Sequence, residues 1–327
     1  MTEVSVVIIT LNQGAHLATC LSSLATQTYS DFEVITVVNR DAAHIAVTQL
    51  SELGPKTRLV FTGSNLGYGA ACNEGAKAAN GSILLFLNDD VVLQPECLSH
   101  LQSLLSSESP CIAQPLIFHE YSNAWRRGNP CDVYGAAGLG FYRGCGAGEF
   151  YASGAALAIG TAIFDSLGGF DEMLFLYHDD VDLCWRARLR GVKILSAPKA
   201  KCLHAGGQSS KSMPHATKFY FTQRNRIRVL IKNYSGRKVA MRLPVAISLI
   251  LAGAFFLSFS YRSVSYVRSV LTATVWNLTN LRSTLKLRFQ VQNTRVQDDS
   301  AIEEAMSNYS MDLCVLRQHM MKNTTRE

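Results

Sequence analysis

The chain has 327 residues, of which 48% are hydrophobic and 17% charged, so it can bury a full core and is neither a disordered tail nor a small disulfide scaffold. Its net charge of +6 hides three blocks: residues 1 to 182 hold 7 Lys and Arg against 19 Asp and Glu (net −12), residues 183 to 297 hold 21 and none (net +21), and residues 298 to 327 hold 3 and 6 (net −3). A stretch this long without a carboxylate points to an anionic partner, while nine cysteines with no C-x-x-C pair argue against a metal–thiolate site and for thiols in a reducing compartment.

The N-terminus passes straight into "VSVVIIT", without a basic lead or a cleavage site, so no secretory signal is expected and the catalytic part is expected in the cytosol. Val4 to Thr10 is a β-branched apolar run suited to a strand buried on both faces, and Phe32 to Val38, Arg58 to Thr62 and Ser82 to Leu87 are similar. Between them Ala15 to Ala25 carries Leu17, Leu21 and Leu24 at helical spacing, and Gly69 to Ala79 is an alanine-rich helical stretch. Strands alternating with helices predict an α/β fold with a mostly parallel sheet flanked by helices. Ligands of such sheets bind beyond the carboxyl ends of the strands, which directs attention to Asn12, Asn39 to Asp41, Asn65 and Asn88 to Asp90.

Two carboxylate clusters stand out. "LLFLNDDVVLQP" ends a strand with Asn88, Asp89 and Asp90, a set that suits Mg2+ or Mn2+ but equally a turn. "LYHDDVDLCWR" crowds Asp179, Asp180 and Asp182 among large apolar residues, where like charges oppose each other's ionisation; the competing uses are a helix cap and a solvated Asp182–Arg186 pair. The small residues of "NLGYGAACNEGAKAANG" allow close approach of a ligand, yet neither a dinucleotide fingerprint nor a P-loop is present. The glycines of "GAAGLGFYRGCGAG" are irregular and suit a loop over a site. Further on, "LPVAISLILAGAFFLSFSY", from Leu243 to Tyr261, is 19 uncharged, mostly apolar residues bracketed by Arg242 and Arg262, which favours a membrane surface over nucleic acid as the anionic partner. Arg224, Arg226, Arg228 and Lys232 precede it and Arg262, Arg268, Arg282, Lys286 and Arg288 follow it. Basic residues on both flanks fit an interfacial or re-entrant helix pair better than a single span, with a homodimer interface as the competing use of the apolar helix.

Four blocks, "VSVVIITLNQGAHLATCLSSLATQTY", "NLGYGAACNEGAKAANGSILLFLNDDV", "GGFDEMLFLYHDDVDLCWRARLRGVKILSAP" and "CLHAGGQSS", together resemble glycosyltransferase family 2, the inverting group with the GT-A fold, and the later "FYFTQRNRIRVLIKNYS" is similar to membrane-associated rhamnosyltransferase-like members. The resemblance implies a GT-A catalytic domain over 1–210 (nucleotide half to about 95), basic membrane-associated helices over 211–297 and a polar tail over 298–327. It implies Asp180 as general base, with Asp179 where many members have glutamate. Asn88 and Asp90 are implied for Mg2+ or Mn2+, His204 for a further contact to the metal or the pyrophosphate with a satisfied core histidine as its competing use, and Thr10, Asn12, Asn39, Asp41, Asn65, Gly67, Asn73 and Asp89 for the nucleotide. "VVNRDAAH" departs from the family after the second strand, so Asn39 and Asp41 are the least secured of these. The basic residues of "QRNRIR" are expected to assist the departing diphosphate. The activity implied is inverting sugar transfer at the cytoplasmic face of a membrane, from dTDP-rhamnose or a UDP-hexose to a lipid-diphosphate or surface glycan acceptor. A nucleotidyltransferase is disfavoured because "LNQGAHL" lacks a Gly-rich phosphate loop with a basic residue, and a non-catalytic scaffold retaining the fold stays open.

Overall fold

The computed structural model describes residues 3–11, 15–41, 57–137, 149–206 and 213–314. Asn12 and most of the expected 135–148 loop lie outside them. The chain divides into two units, the first built from 1–128, 152–184 and 192–211 and the second from 129–151, 185–191 and 212–327.

The first unit is organised by one nine-stranded sheet: β1 (Val4–Thr10), β2 (Phe32–Val38), β3 (Thr57–Phe61), β4 (Ile83–Asn88), β5 (Val91–Leu93), β6 (Cys111–His119), β7 (Ala124–Arg126), β8 (Ala156–Gly160) and β9 (Lys193–His204). The strand order is β3-β2-β1-β4-β8-β6-β9-β5, with β7 paired to β6. Strands β3-β2-β1-β4 are parallel throughout, as continuous apolar runs dictate, whereas β8, β5 and β7 pair antiparallel with their neighbours. The chain leaves β1 toward β2 on one side and returns to β4 on the other, so the carboxyl ends of β1 and β4 form the switch point at which open α/β sheets hold ligands.

One face of the sheet is covered by α1 (Ala15–Ala25) and α3 (Cys97–Glu108): Val6, Ile8, Leu85 and Leu87 share a buried cluster with Leu17, Leu21, Leu98 and Leu101. The other face meets α2 (Tyr68–Lys77), and here the sequence expectation is corrected. The small residues of this segment admit the protein's own atoms. A Cβ on Gly75 would stand 2.2 Å from Val7 Cγ1, one on Gly67 would stand 2.6 Å from Phe175 Cα, and one on Gly69 would stand 2.9 Å from Phe170 Cβ. Phe86, Phe164 and Phe170 fill the space below α4 (Thr161–Leu167), with ring centroids 5.0–5.6 Å apart.

The helix α5 (Asp179–Leu189) starts in the first unit and ends in the second. The second unit is helical: α6 (His215–Asn233), α7 (Gly236–Ser260), α8 (Ser265–Thr279), α9 (Leu281–Thr294) and α10 (Asp299–Glu304). Ile227, Ile250, Ala254, Tyr266 and Val270 form its core, and Trp185 meets Tyr234 edge-on at 4.8 Å. The basic residues of α6 are also inside, which corrects the expectation that they face a diphosphate or lipid. Arg224, Arg226, Arg228 and Lys232 are at most 6% exposed. Arg226 makes a two-pronged contact with Asp312 at 2.8 and 3.1 Å and donates to Tyr134 O at 2.8 Å. Arg228 donates to Thr284 Oγ1 at 2.6 Å, and the Arg224 guanidinium lies 4.3 Å from the Trp276 ring centroid.

The counter-charges come from beyond residue 297, out of reach of local sequence reasoning. Asp299 pairs with Arg295 at 2.9 Å, Glu303 with Arg242 at 2.9 Å and with Lys238 at 2.5 Å, and Asp312 with Arg226. The tail over 298–314 is therefore an integral electrostatic part of this unit. Among the described residues seven cysteines are buried thiols, as expected, but Cys314 is disulfide-bonded, against the expectation of thiols throughout.

Candidate functional site

The sheet register assembles one half of the site. Asp89 and Asp90 form the turn between β4 and β5, beside the end of β1, where the buried Thr10 donates from Oγ1 to Asp89 Oδ2 at 2.6 Å. Burial pushes the Asp89 carboxyl up to about 6, with Thr10 holding it down and the neighbouring Asp90 adding to the rise. Strand β9 brings His204 opposite Val91 of β5 and His119 of β6. As a result His204 Nε2 lies 3.2 Å from Asp90 Oδ1, and Asp90 is only 5% exposed. His119 escaped sequence reasoning, since a single histidine ending an apolar run carries no signal until the register of β6 and β9 is known. Burial pushes its imidazole down to about 3, so it stays neutral.

A divalent cation fits this corner. A buried carboxylate beside an imidazole, with a second carboxylate on the adjacent residue, supplies oxygen and nitrogen donors of the kind Mn2+ takes, and Mg2+ with fewer nitrogens. Among the described residues no group of three His, Cys, Asp or Glu side chains is arranged to enclose a metal. The chain would hold such an ion on one side only, leaving positions for diphosphate oxygens and water. Asn88 lies at the end of β4 with its backbone N–H on Ala155 O at 3.0 Å.

The other half is built at the start of α5. Asp180 Oδ2 accepts from Gly154 N–H at 2.9 Å, and Oδ1 from Val181 N–H at 2.9 Å. Burial raises both Asp179 and Asp180, Asp179 the further because its neighbour's charge adds to desolvation, while the N–H groups of Gly154 and Val181 favour the anion of Asp180. Asp179 is thus held further above the ordinary carboxylate range than Asp180. The preceding residues Phe175, Tyr177 and His178 all have positive φ, at 63°, 67° and 66°, a concentration of strained backbone where the helix is launched. Gly154 and Ala155 join the halves: Gly154 is bonded to Asp180 through its N–H and to the Tyr68 hydroxyl through its carbonyl, and Ala155 is bonded to Asn88. Neither Gly154 nor Tyr68 was singled out by sequence.

The remaining expected residues hold the turn beyond β3. Buried Asn39 accepts from Leu66 N–H at 2.9 Å and Thr62 Oγ1 at 3.3 Å and donates to Gly67 O at 3.0 Å and Asn65 Oδ1 at 3.2 Å, so its amide braces the protein. Asn65 is exposed and also accepts from Gly67 N–H at 3.0 Å. Gly67, at φ 87°, lets Tyr68 N–H reach Phe175 O at 2.8 Å. Asn73 donates to Phe170 O at 3.0 Å and Glu172 Oε1 at 3.1 Å and accepts from Phe170 N–H at 2.9 Å, tying α2 to the segment ahead of α5. Asp41 is exposed at the end of a described stretch.

The profile of the family described as "Glycosyltransferase like family 2" matches residues 2–228. The chain belongs to that family. It is 27% identical over 227 residues to the O-antigen biosynthesis protein RfbC of Myxococcus xanthus, a match covering 64% of this chain and 18% of that protein. Other curated relatives are likewise covered for only 22 to 43% of their length. Among solved structures it resembles S. aureus TarS residues 1–349 in complex with UDP-GlcNAc (TM-score 0.59, 16% identity, 93% of this chain and 91% of that one). It also resembles GalNAc-T7 with UDP, GalNAc and Mn2+ (TM-score 0.58, 16% identity, 85% and 57%). The family member thus has the GT-A fold.

Proposed function

We propose that the protein transfers a sugar from a nucleotide diphosphate donor to an acceptor hydroxyl with inversion at the anomeric carbon. The observation that carries this reading is the shared Gly154–Ala155 pair, with Asp180 bonded to Gly154 N–H and the N–H of Asn88, which precedes the Asp89–Asp90 turn, bonded to Ala155 O. Inversion requires a base on the face opposite the leaving group. Asp180 takes the proton of the acceptor hydroxyl as its oxygen attacks, and a positioned base of this kind contributes about 10²- to 10⁴-fold in rate. Asp90 and His204, with Asn88, hold the metal side of the donor, and Thr10 and Asp89 stand against the nucleotide. A bound Mg2+ or Mn2+ would supply Lewis-acid stabilisation of charge on the departing diphosphate. Asn39, Asn65, Gly67 and Asn73 keep the donor-side turn and the α5 launch segment in register, with Asp41 at its rim.

The rhamnosyltransferase-like C-terminal sequence favours dTDP-rhamnose as donor, and the UDP-containing GT-A neighbours support a UDP-hexose as the second reading. The RfbC relative supports a cell-envelope glycan acceptor. The cytoplasmic membrane face as its location is supported by α7, whose most apolar 18-residue window has a mean hydropathy of 2.1 and is 17% buried. Phe255, Phe259, Leu271, Val275, Leu278 and Phe289 are 57 to 87% exposed on α7, α8 and α9, with Arg262, Arg268, Arg282 and Lys286 exposed beside them.

The test is release of nucleoside diphosphate by detergent-solubilised protein from a panel of dTDP-, UDP- and GDP-sugars with Mn2+ or Mg2+ and a lipid-diphosphate glycan. Release from one donor that depends on acceptor and metal supports the reading and names the sugar. Intact donor binding without turnover under any acceptor would move the assignment to a scaffold that has kept the fold.

A further inference from the structure

Asp90, His204 and His119 form a buried row: beyond the contact of His204 Nε2 with Asp90, His204 Nδ1 lies 3.1 Å from His119 Nδ1, with the rings edge-on at 68° and 5.1 Å between centroids. His119 and His204 are 0% and 6% exposed. Two Nδ1 atoms at this distance share one proton, so one donates and the other accepts. The row therefore has two arrangements. In the first, His204 carries its proton on Nε2, 3.2 Å from Asp90 Oδ1, and accepts from His119. In the second, His204 carries its proton on Nδ1 and donates it to His119, leaving the Nε2 lone pair directed at the Asp90 side.

Only the second arrangement lets His204 act as a ligand, since a metal-bound imidazole needs one bare nitrogen and steadies itself by donating from the other. We propose that His119 is the positioning residue that selects this form, accepting the Nδ1–H of His204 so that Nε2 is turned out as a ligand beside Asp90. This inference rests on the metal reading above. The exchange is balanced. The Nε2 proton of His204 leaves to solvent, the Nδ1 proton of His119 passes to His204 Nδ1, and His119 takes a proton on its own Nε2, with no net change across the pair. His119 touches no substrate in this scheme; it acts through His204 alone.

The experiment is a titration of the full chain with Mn2+, with and without UDP, reading free Mn2+ by electron paramagnetic resonance in wild type, His119→Leu and His119→Asn. Leucine fills the site without an acceptor, and the asparagine amide oxygen stands near the Nδ1 position. The expected result is a 10- to 100-fold loss of Mn2+ affinity in His119→Leu, as for other outer-shell partners of metal-bound histidine, with most of it restored in His119→Asn. Unchanged affinity in His119→Leu, or equal loss in both variants, overturns the role of His119 and leaves the metal site standing. No Mn2+ binding by wild type overturns the metal reading and this inference with it. If His119→Leu does not fold, 15N shifts of the wild-type imidazoles with Zn2+ as a diamagnetic probe decide the matter: a protonated His204 Nδ1 is expected, and a protonated His204 Nε2 overturns the proposal.

Discussion

Replacing Asp180 with Asn keeps the side chain's size and one of its two backbone hydrogen bonds, from Gly154 or Val181 N–H, while removing the base, so turnover should fall by about 10²- to 10⁴-fold with donor binding retained, as read by single-turnover assays beside a donor titration. A pH profile tests the same carboxylate from another side. Burial raises Asp180 above the ordinary carboxylate range, and the base works only when ionised. Activity at saturating metal should therefore fall as pH drops through a value above that range, and an acid limb at the ordinary carboxylate pH would contradict the assignment. Asp90, Asp180 and His204 were legible in sequence because a strand end, a carboxylate pair and a family block marked them. His119, Gly154 and Tyr68 were not, because their roles arise from pairing between strands and segments far apart in the chain.

At the scale of elements, apolar periodicity located β1, β2 and α1 to the residue, and set β3, β4 and α2 one or two residues from their observed ends. What periodicity could not show is what fills the space beside small residues. A Cβ at Gly75 would stand 2.2 Å from Val7 Cγ1 and 2.9 Å from Val37 Cγ2, so Gly75→Ala should force α2 off the sheet and cost about 1–3 kcal/mol in denaturant unfolding. Gly253, inside α7, is the control. Nothing lies within 4 Å of a Cβ there, and Gly253→Ala should be neutral or stabilising by up to about 1 kcal/mol through helix propensity. Equal losses at both positions would show that helix propensity, and not close packing, governs these sites.

At the scale of the whole molecule, the sequence located the charge but not its answer. A run with no carboxylate looked like a surface awaiting an anionic partner, yet much of it is interior and is met by the chain's own Asp299, Glu303 and Asp312. Arg226 is 1% exposed against 19% for Asp312, so Asp312→Ala strands a buried guanidinium and should destabilise the second unit by about 3 kcal/mol, seen as a lower thermal midpoint. Asp298→Ala, which removes only the cap of α10 on Ala301 N–H, should cost about 1 kcal/mol.

On the membrane-face location proposed above, the internal pairing also changes how the protein should meet a bilayer. Adsorption of a basic protein through many lysines and arginines weakens steeply as salt screens the charges. Here the arginines of α6 are turned inward while phenylalanines and leucines face out, so binding to vesicles should follow the oil–water partition of those side chains. Raising sodium chloride should remove only the share carried by the exposed Arg262, Arg268, Arg282 and Lys286, and cooling should loosen the apolar share that remains.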